Sequence, residues 1–163
     1  GWAFLNEPIE DAWGRSASML RAIAEYAGER GVRLVLEALQ PVESMIVNSA
    51  ADTKRMIDAV DHPALKACLD MGAMAVAGDT IDDYFDALGD DVAHVHFVDV
   101  AADGTTHLAW GDGDRDMRAD LDRFVARGYK GVVSAETYDW HYFADPAAAD
   151  AQVMAVYRRA IGV

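Results

Sequence analysis

Four short apolar runs alternate with longer stretches of helical spacing, and this alternation limits the folds open to the chain. The runs are Val32–Leu39, Leu65–Asp70, Val92–Asp99 and Gly131–Thr137. Each is too short for a helix that could stand alone and is rich in β-branched or aromatic residues, so each predicts a strand. Asp11–Arg30 precedes them with an amphipathic pattern in which Ala12, Met19, Ile23, Ala24, Tyr26 and Ala27 supply the apolar spacing. Further helices are expected from Ser49 or Asp52 to about Val60, from Asp79 or Thr80 to Leu88, over Met117–Arg127, and from Asp145-Pro146 to about Ala160. Gly31, Gly89 and Gly128 stop three of these helices, while Gly72 and Gly78 predict a flexible connection. Strands separated by helices imply a parallel sheet with right-handed crossovers, an α/β fold. No linker or low-complexity tract divides residues 1–163, which predicts one β/α domain.

The charge narrows the partners. With 28 acidic and 14 basic residues the formal net charge is -14. Such a chain repels nucleic acid and anionic membrane surfaces, and it disfavours highly phosphorylated substrates. The single cysteine, Cys68, allows no internal disulfide and reads as a buried, inert thiol. No apolar run reaches the roughly 18 residues of a membrane span. The first residues carry no basic segment or cleavage pattern, so a cytoplasmic location is expected.

The ends of the four strand runs carry Glu37, Asp70, His96 and Glu136. In a parallel sheet all strand ends of one sense lie on one rim, so these four side chains should gather there. Three carboxylates and one imidazole suit a divalent ion that prefers oxygen, Mn²⁺ foremost, with Mg²⁺, Co²⁺ or Zn²⁺ as other occupants. A single carboxylate at a strand end is common in an acidic chain, but metal-competent side chains at four successive strand ends are not. His94 shares a face with His96 and reads as a deeper residue held by hydrogen bonds. Asp99 reads either as a loop cap or as a substrate contact. Tyr138, Trp110 and Trp140 read as core or as an apolar wall beneath a substrate.

The segments Leu-Glu-Ala-Leu-Gln-Pro (36–41), Cys-Leu-Asp-Met-Gly (68–72), His-Val-His-Phe-Val-Asp (94–99) and Ser-Ala-Glu-Thr-Tyr (134–138) resemble the xylose isomerase-like TIM barrels. Within that superfamily they look like the sugar epimerases and isomerases related to D-tagatose 3-epimerase. The intervals of 33, 26 and 40 residues between Glu37, Asp70, His96 and Glu136 are similar to that subgroup's metal set, the last being somewhat longer. The resemblance implies a divalent metal held by Glu37, Asp70, His96 and Glu136. It implies a ketose substrate, with Glu37 and Glu136 exchanging a carbon-bound proton through an enediolate. The loop 107–114 resembles a family loop in which a His precedes Gly-x-Gly, and this implies a place for His107 near the substrate.

Two positions depart from the pattern. Ala73 stands where the family often has a His three residues after the metal Asp, and Ala102 where it often has an Arg six residues after the metal His. Both open two alternatives: a metal-dependent dehydratase or lyase acting on a keto-sugar or inosose, and an inactive half-barrel that binds or assembles. A complete barrel needs eight strands and about 250 residues. The four strands here match the family's last four, so the chain is expected to be a C-terminal half, self-associating or completed by its missing N-terminal half.

Overall fold

A computed structural model describes residues 1–163. Its elements run α1 (Ile9–Gly28), β1 (Leu34–Glu37), α2 (Ala50–Val60), β2 (Leu65–Asp70), α3 (Met71–Ala77), α4 (Ile81–Leu88), β3 (Val92–His96), α5 (Met117–Ala126), β4 (Val132–Ser134) and α6 (Pro146–Ile161). All strand pairs are parallel, and the sheet order is β1-β2-β3-β4. Neighbours in sequence are therefore neighbours in space, as right-handed β/α crossovers dictate. This is the α/β architecture expected from the alternation, with four parallel strands. No helix is long and apolar enough to cross a membrane.

Strand alternation sorts the side chains into two sets. Leu65, Ala67 and Leu69 of β2 and Val95 of β3 join the main core beneath the helices. That core also holds Met56, Ile57 and Val60 of α2, Tyr84 of α4 and Phe124 of α5. Cys68, Asp70, His94 and His96 alternate onto the opposite, concave face. The register sets Asp70 level with His96, and Glu37 level with Cys68.

The caps follow from local chemistry. Ser49 caps α2 by accepting from the Asp52 N–H, Thr80 and Asp83 form a reciprocal capping box on α4, and Asp145 caps α6 with Pro146 in its first turn. Asp116 does the same for α5.

Several boundaries differ from expectation. The stretch around Gly72 is helical: α3 begins directly after β2 because Asp70 caps it, its Oδ1 accepting from the Ala73 N–H at 2.6 Å. Gly72 sits within α3, where a Cβ would come within 3.1 Å of Asp70 Oδ1 and 3.2 Å of His107 Cε1. Its lack of a side chain keeps the mouth of the concave face open. β3 ends at His96, three residues before Asp99, and β4 ends at Ser134, two before Glu136. In α1 the buried residues are Ala12, Trp13, Ala24 and Ala27, whereas Met19, Ile23 and Tyr26 are exposed. Those three apolar residues face away from the layer that the chain itself supplies.

Candidate metal centre

Glu37 closes β1, Asp70 closes β2, His96 closes β3, and Glu136 lies two residues past β4. Three successive parallel strands and the segment just after the fourth thus deliver these side chains to one end of the sheet, and the concave curvature brings them together. One ligand atom from each lies within 4.8 Å of all the others. The imidazole of His96 is at the centre: its Nδ1 is 2.7 Å from Glu37 Oε1, 2.8 Å from Glu136 Oε2 and 3.6 Å from Asp70 Oδ2.

The environment of Asp70 is the most informative. The residue is buried, one oxygen is spent on the cap of α3, and the other, Oδ2, has no hydrogen-bond partner. An orphaned carboxylate oxygen inside a protein costs about 1–3 kcal/mol or more, so such an atom calls for a cation. Burial alone would favour the neutral acid. His107, His96 and the Ala73 N–H outweigh that and hold the Asp70 carboxyl well below its usual range. The reciprocal effect on His96 is large: Asp70, Cys68 and Glu37 push its imidazole up to about 12. Glu136 moves the other way from Asp70. Partial burial, together with the charges of Glu37 and Asp70, raises its carboxyl above the ordinary value, against the opposing pull of His96 and His107. The donor set fits a divalent ion: three carboxylates, one of them with an unpartnered buried oxygen, and one imidazole nitrogen.

His107 completes the wall. It is buried, at φ +58°, with Nε2 3.5 Å from Asp70 Oδ2 and 3.8 Å from Glu136 Oε2. Its ring packs on Tyr138, with centroids 4.3 Å apart. Asp99 takes the role of loop cap and not of substrate contact. Its Oδ1 accepts from the Val100 and Arg115 N–H groups and its Oδ2 from those of Gly111 and Gly113, so a buried carboxylate ties down the loop that carries His107. His94 bonds to Ser134 through Nε2 at 2.9 Å, deeper on the same face. Trp110 is core: it is buried, lies against Phe97 and donates to the Phe97 carbonyl. Trp140 is exposed.

Four residues that the motifs did not mark for the site also border it. Cys68 is buried as expected, yet it comes close to Glu37 and His96 as well as lying two residues before Asp70. Gln40 and Thr106 bond to each other at 2.8 Å across 66 residues of sequence, and Thr106 Oγ1 is 3.0 Å from His107 Nδ1. Their types are common in loops, and only the fold brings them together. Glu43 accepts from the Tyr138 hydroxyl at 3.2 Å and from the Gln40 N–H at 3.1 Å. Ala73 leaves its helix position without a polar group, and Ala102 uses only its backbone N–H, which donates to Asp114.

Comparison with known proteins agrees with this architecture. A fructoselysine 3-epimerase of Escherichia coli O157:H7 is 36% identical over 129 residues, covering 79% of this chain and 47% of that protein. A 3-dehydroshikimate dehydratase of Pseudomonas putida is 31% identical over 136 residues, covering 78% of this chain and 21% of that protein. The solved structure of the IOLI protein with a bound zinc atom superposes with a TM-score of 0.77 at 20% identity, covering 96% of this chain and 59% of that one. The chain spans about half the length of the epimerase it matches. The model of the xylose isomerase-like TIM barrel family matches residues 1–159, and the chain belongs to that family.

Proposed function

We propose that this chain is the metal-holding half of a divalent-metal-dependent ketose epimerase or isomerase. The observation that carries the reading is the meeting of Glu37, Asp70, His96 and Glu136 around the unpartnered Asp70 Oδ2. Those four residues would hold the ion, Mn²⁺ foremost, and the bound zinc of the IOLI neighbour makes Zn²⁺ a second candidate. When bound, a divalent ion offers Lewis-acid stabilisation of negative charge developing on substrate oxygens.

The chain's own residues would do the rest. Glu37 and Glu136 approach the same His96 nitrogen from different strands, so they flank whatever sits above it. One carboxylate takes the proton from a carbon next to the ketose carbonyl, giving an enediolate, and the other returns a proton to the opposite face or to the neighbouring carbon. Burial near other carboxylates raises the proton affinity of Glu136 above that of an ordinary carboxylate. The buried His107 ring, packed against the half-exposed Tyr138, forms one side of the site. Asp70 is tied to α3 and anchors the set in place.

The rim also bears on the substrate. Residues 38–49, 71–80, 97–116 and 135–145 include one Lys or Arg, Arg115, whose guanidinium is engaged by Asp120. These loops offer no free Lys or Arg to a phosphate, which supports an unphosphorylated ketose or one bearing an amine, as in fructoselysine. The relation to a 3-dehydroshikimate dehydratase supports a second reading, loss of water from a keto-sugar or cyclic keto-polyol by the same proton-abstracting carboxylates.

The test begins with metal analysis of the purified chain after dialysis, before and after addition of Mn²⁺. Retention near one equivalent is expected, and a chain that takes up no divalent ion would overturn the reading. Mass spectrometry of ketoses incubated in D₂O with the loaded protein then separates the two chemistries. Epimerisation exchanges a carbon-bound hydrogen and leaves the skeleton intact, whereas dehydration removes water.

A further inference from the structure

We infer that Gln40 and Thr106 are positioning residues that keep the neutral His107 imidazole in its Nε2–H tautomer, aimed as a donor into the space between Asp70 and Glu136. The inference rests on the reading of that space as the reaction site.

The relay is short, and the groups at its two ends assign its direction together. Gln40 follows β1 by three residues and reaches across to the loop after β3, where its Nε2 donates to Thr106 Oγ1 at 2.8 Å. With that lone pair engaged, the Thr106 hydroxyl can turn its own hydrogen toward His107 Nδ1, 3.0 Å away. Nδ1 then acts as acceptor, and the ring hydrogen of neutral imidazole must reside on Nε2. The far side of the ring favours the same assignment. Nε2 faces Asp70 Oδ2 at 3.5 Å and Glu136 Oε2 at 3.8 Å, and a bare nitrogen lone pair pointed at two carboxylates would be repelled. Reversing the Gln40 amide would make Thr106 donate to Gln40 and accept from Nδ1–H, which would put that lone pair against the carboxylates. The two ends of the relay therefore agree on one arrangement.

The backbone is also set for this. His107 is a non-glycine residue at φ +58°, a conformation that costs on the order of 1–3 kcal/mol and persists only where surroundings impose it. The imposing contacts are the paired Asp99 and Leu108 backbones on one side and the Tyr138 ring on the other. Turning the ring over would break its Thr106 bond and lose the approach to Asp70 together. A donor fixed at this place can bond to a substrate oxygen beside the two carboxylates, and it leaves Glu136 free to move the proton.

Long-range ¹H–¹⁵N correlation spectra of the ¹⁵N-histidine-labelled chain distinguish the two nitrogens of neutral imidazole. They are recorded at a pH where the ring is neutral, both metal-free and with diamagnetic Zn²⁺, and His107 is identified by the signal lost in His107→Gln. The wild-type chain is expected to carry the His107 hydrogen on Nε2. Thr106→Val should populate both tautomers, and Thr106→Ser, which keeps the hydroxyl, should restore one. Gln40→Glu places an acceptor where the amide donates, so it should reverse the relay and move the hydrogen toward Nδ1. Substrate turnover, measured alongside, should fall in Thr106→Val by about 10- to 100-fold in kcat, as for loss of an outer partner of a site residue, with KM little changed and Thr106→Ser active. A wild-type hydrogen on Nδ1, or a tautomer unmoved by both Thr106→Val and Gln40→Glu, overturns the inference. The spectra need no turnover, so a locked tautomer in a chain that binds no metal would retain this inference and reject the proposed function, and the converse result would do the opposite.

Discussion

Glu37 and His96 stand on strands that are not neighbours, yet Glu37 Oε1 lies 2.7 Å from His96 Nδ1. Across a flat sheet, two strands with one between them are separated by roughly 9–10 Å. The side chains meet because the sheet curves, and Asp70 on the intervening β2 sits beneath the contact with an oxygen left over. That geometry is the wall of a barrel, and the predictions below follow from it.

Asp70→Asn should leave the fold intact and abolish metal retention. An Asn side-chain oxygen can still cap α3 by accepting from the Ala73 N–H, as Asp and Asn cap about equally well. It cannot supply the second anionic oxygen. The affinity for Mn²⁺ should fall by more than the roughly 10–100-fold typical of losing a second-layer partner. Titration calorimetry with circular dichroism checks both halves, and wild-type affinity in the variant would remove Asp70 from the ligand set.

Asp99→Ala should destabilise the chain by about 2–5 kcal/mol, the range for losing a buried charged hydrogen-bond acceptor with several partners. Four backbone N–H groups lose their acceptor at once. Gly113→Ala should be severe for a related reason: its Cβ would lie 2.8 Å from the Val100 carbonyl carbon, besides crowding the Asp99 carboxylate, so backbone must move. Denaturant melts give the stability, and amide exchange should show faster exchange confined first to residues 100–115.

Alkaline pH should weaken the fold above about pH 10, the ordinary tyrosine value. Burial and the adjacent Asp112 push the Tyr142 phenol up to about 12, and burial does the same for Tyr129. In the unfolded chain these phenols ionise first. Between about pH 10 and 12 the folded state therefore binds more protons than the unfolded state, and stability falls as pH rises. Tyr142→Phe should lessen that slope while costing about 1–3 kcal/mol at neutral pH, because the Ala109 N–H loses its acceptor. Thermal melts from pH 7 to 11 test this, and a flat profile would contradict it.

Association is expected wherever the chain meets a strand-bearing partner. β1 and β4 are the sheet edges, with Val35 and Val132 41% and 64% exposed, and α1 leaves Met19, Ile23 and Tyr26 in solvent. Such edges pair and such patches stick. Size-exclusion chromatography with light scattering should find the chain associated, or captured stoichiometrically by the first half of a family barrel. A monodisperse monomer indifferent to that half would count against the proposal.

Much of this was legible in the residues. The strand-helix alternation predicts the parallel order, because local periodicity and handed crossovers leave few other topologies. Glu37, Asp70 and His96 were locatable because each lies at or near the end of an apolar run, and a strand end has a fixed place on the rim. Boundaries were less legible. Helix α3 was hidden because its cap is Asp70 itself, so one carboxylate serves both the helix and the site. The outward turn of Ile23 and Tyr26 was hidden because an apolar stripe does not say which layer covers it.

The sequence by itself determined the order of elements and the residue types at the strand ends, since these depend on neighbours a few positions apart. Tertiary structure alone decided the rest. It turned Asp99 inward to hold a loop, left Asp70 Oδ2 without a partner, and joined Gln40 to Thr106 beneath His107. Those outcomes depend on distances between residues tens of positions apart, which only the curvature and register of the sheet set.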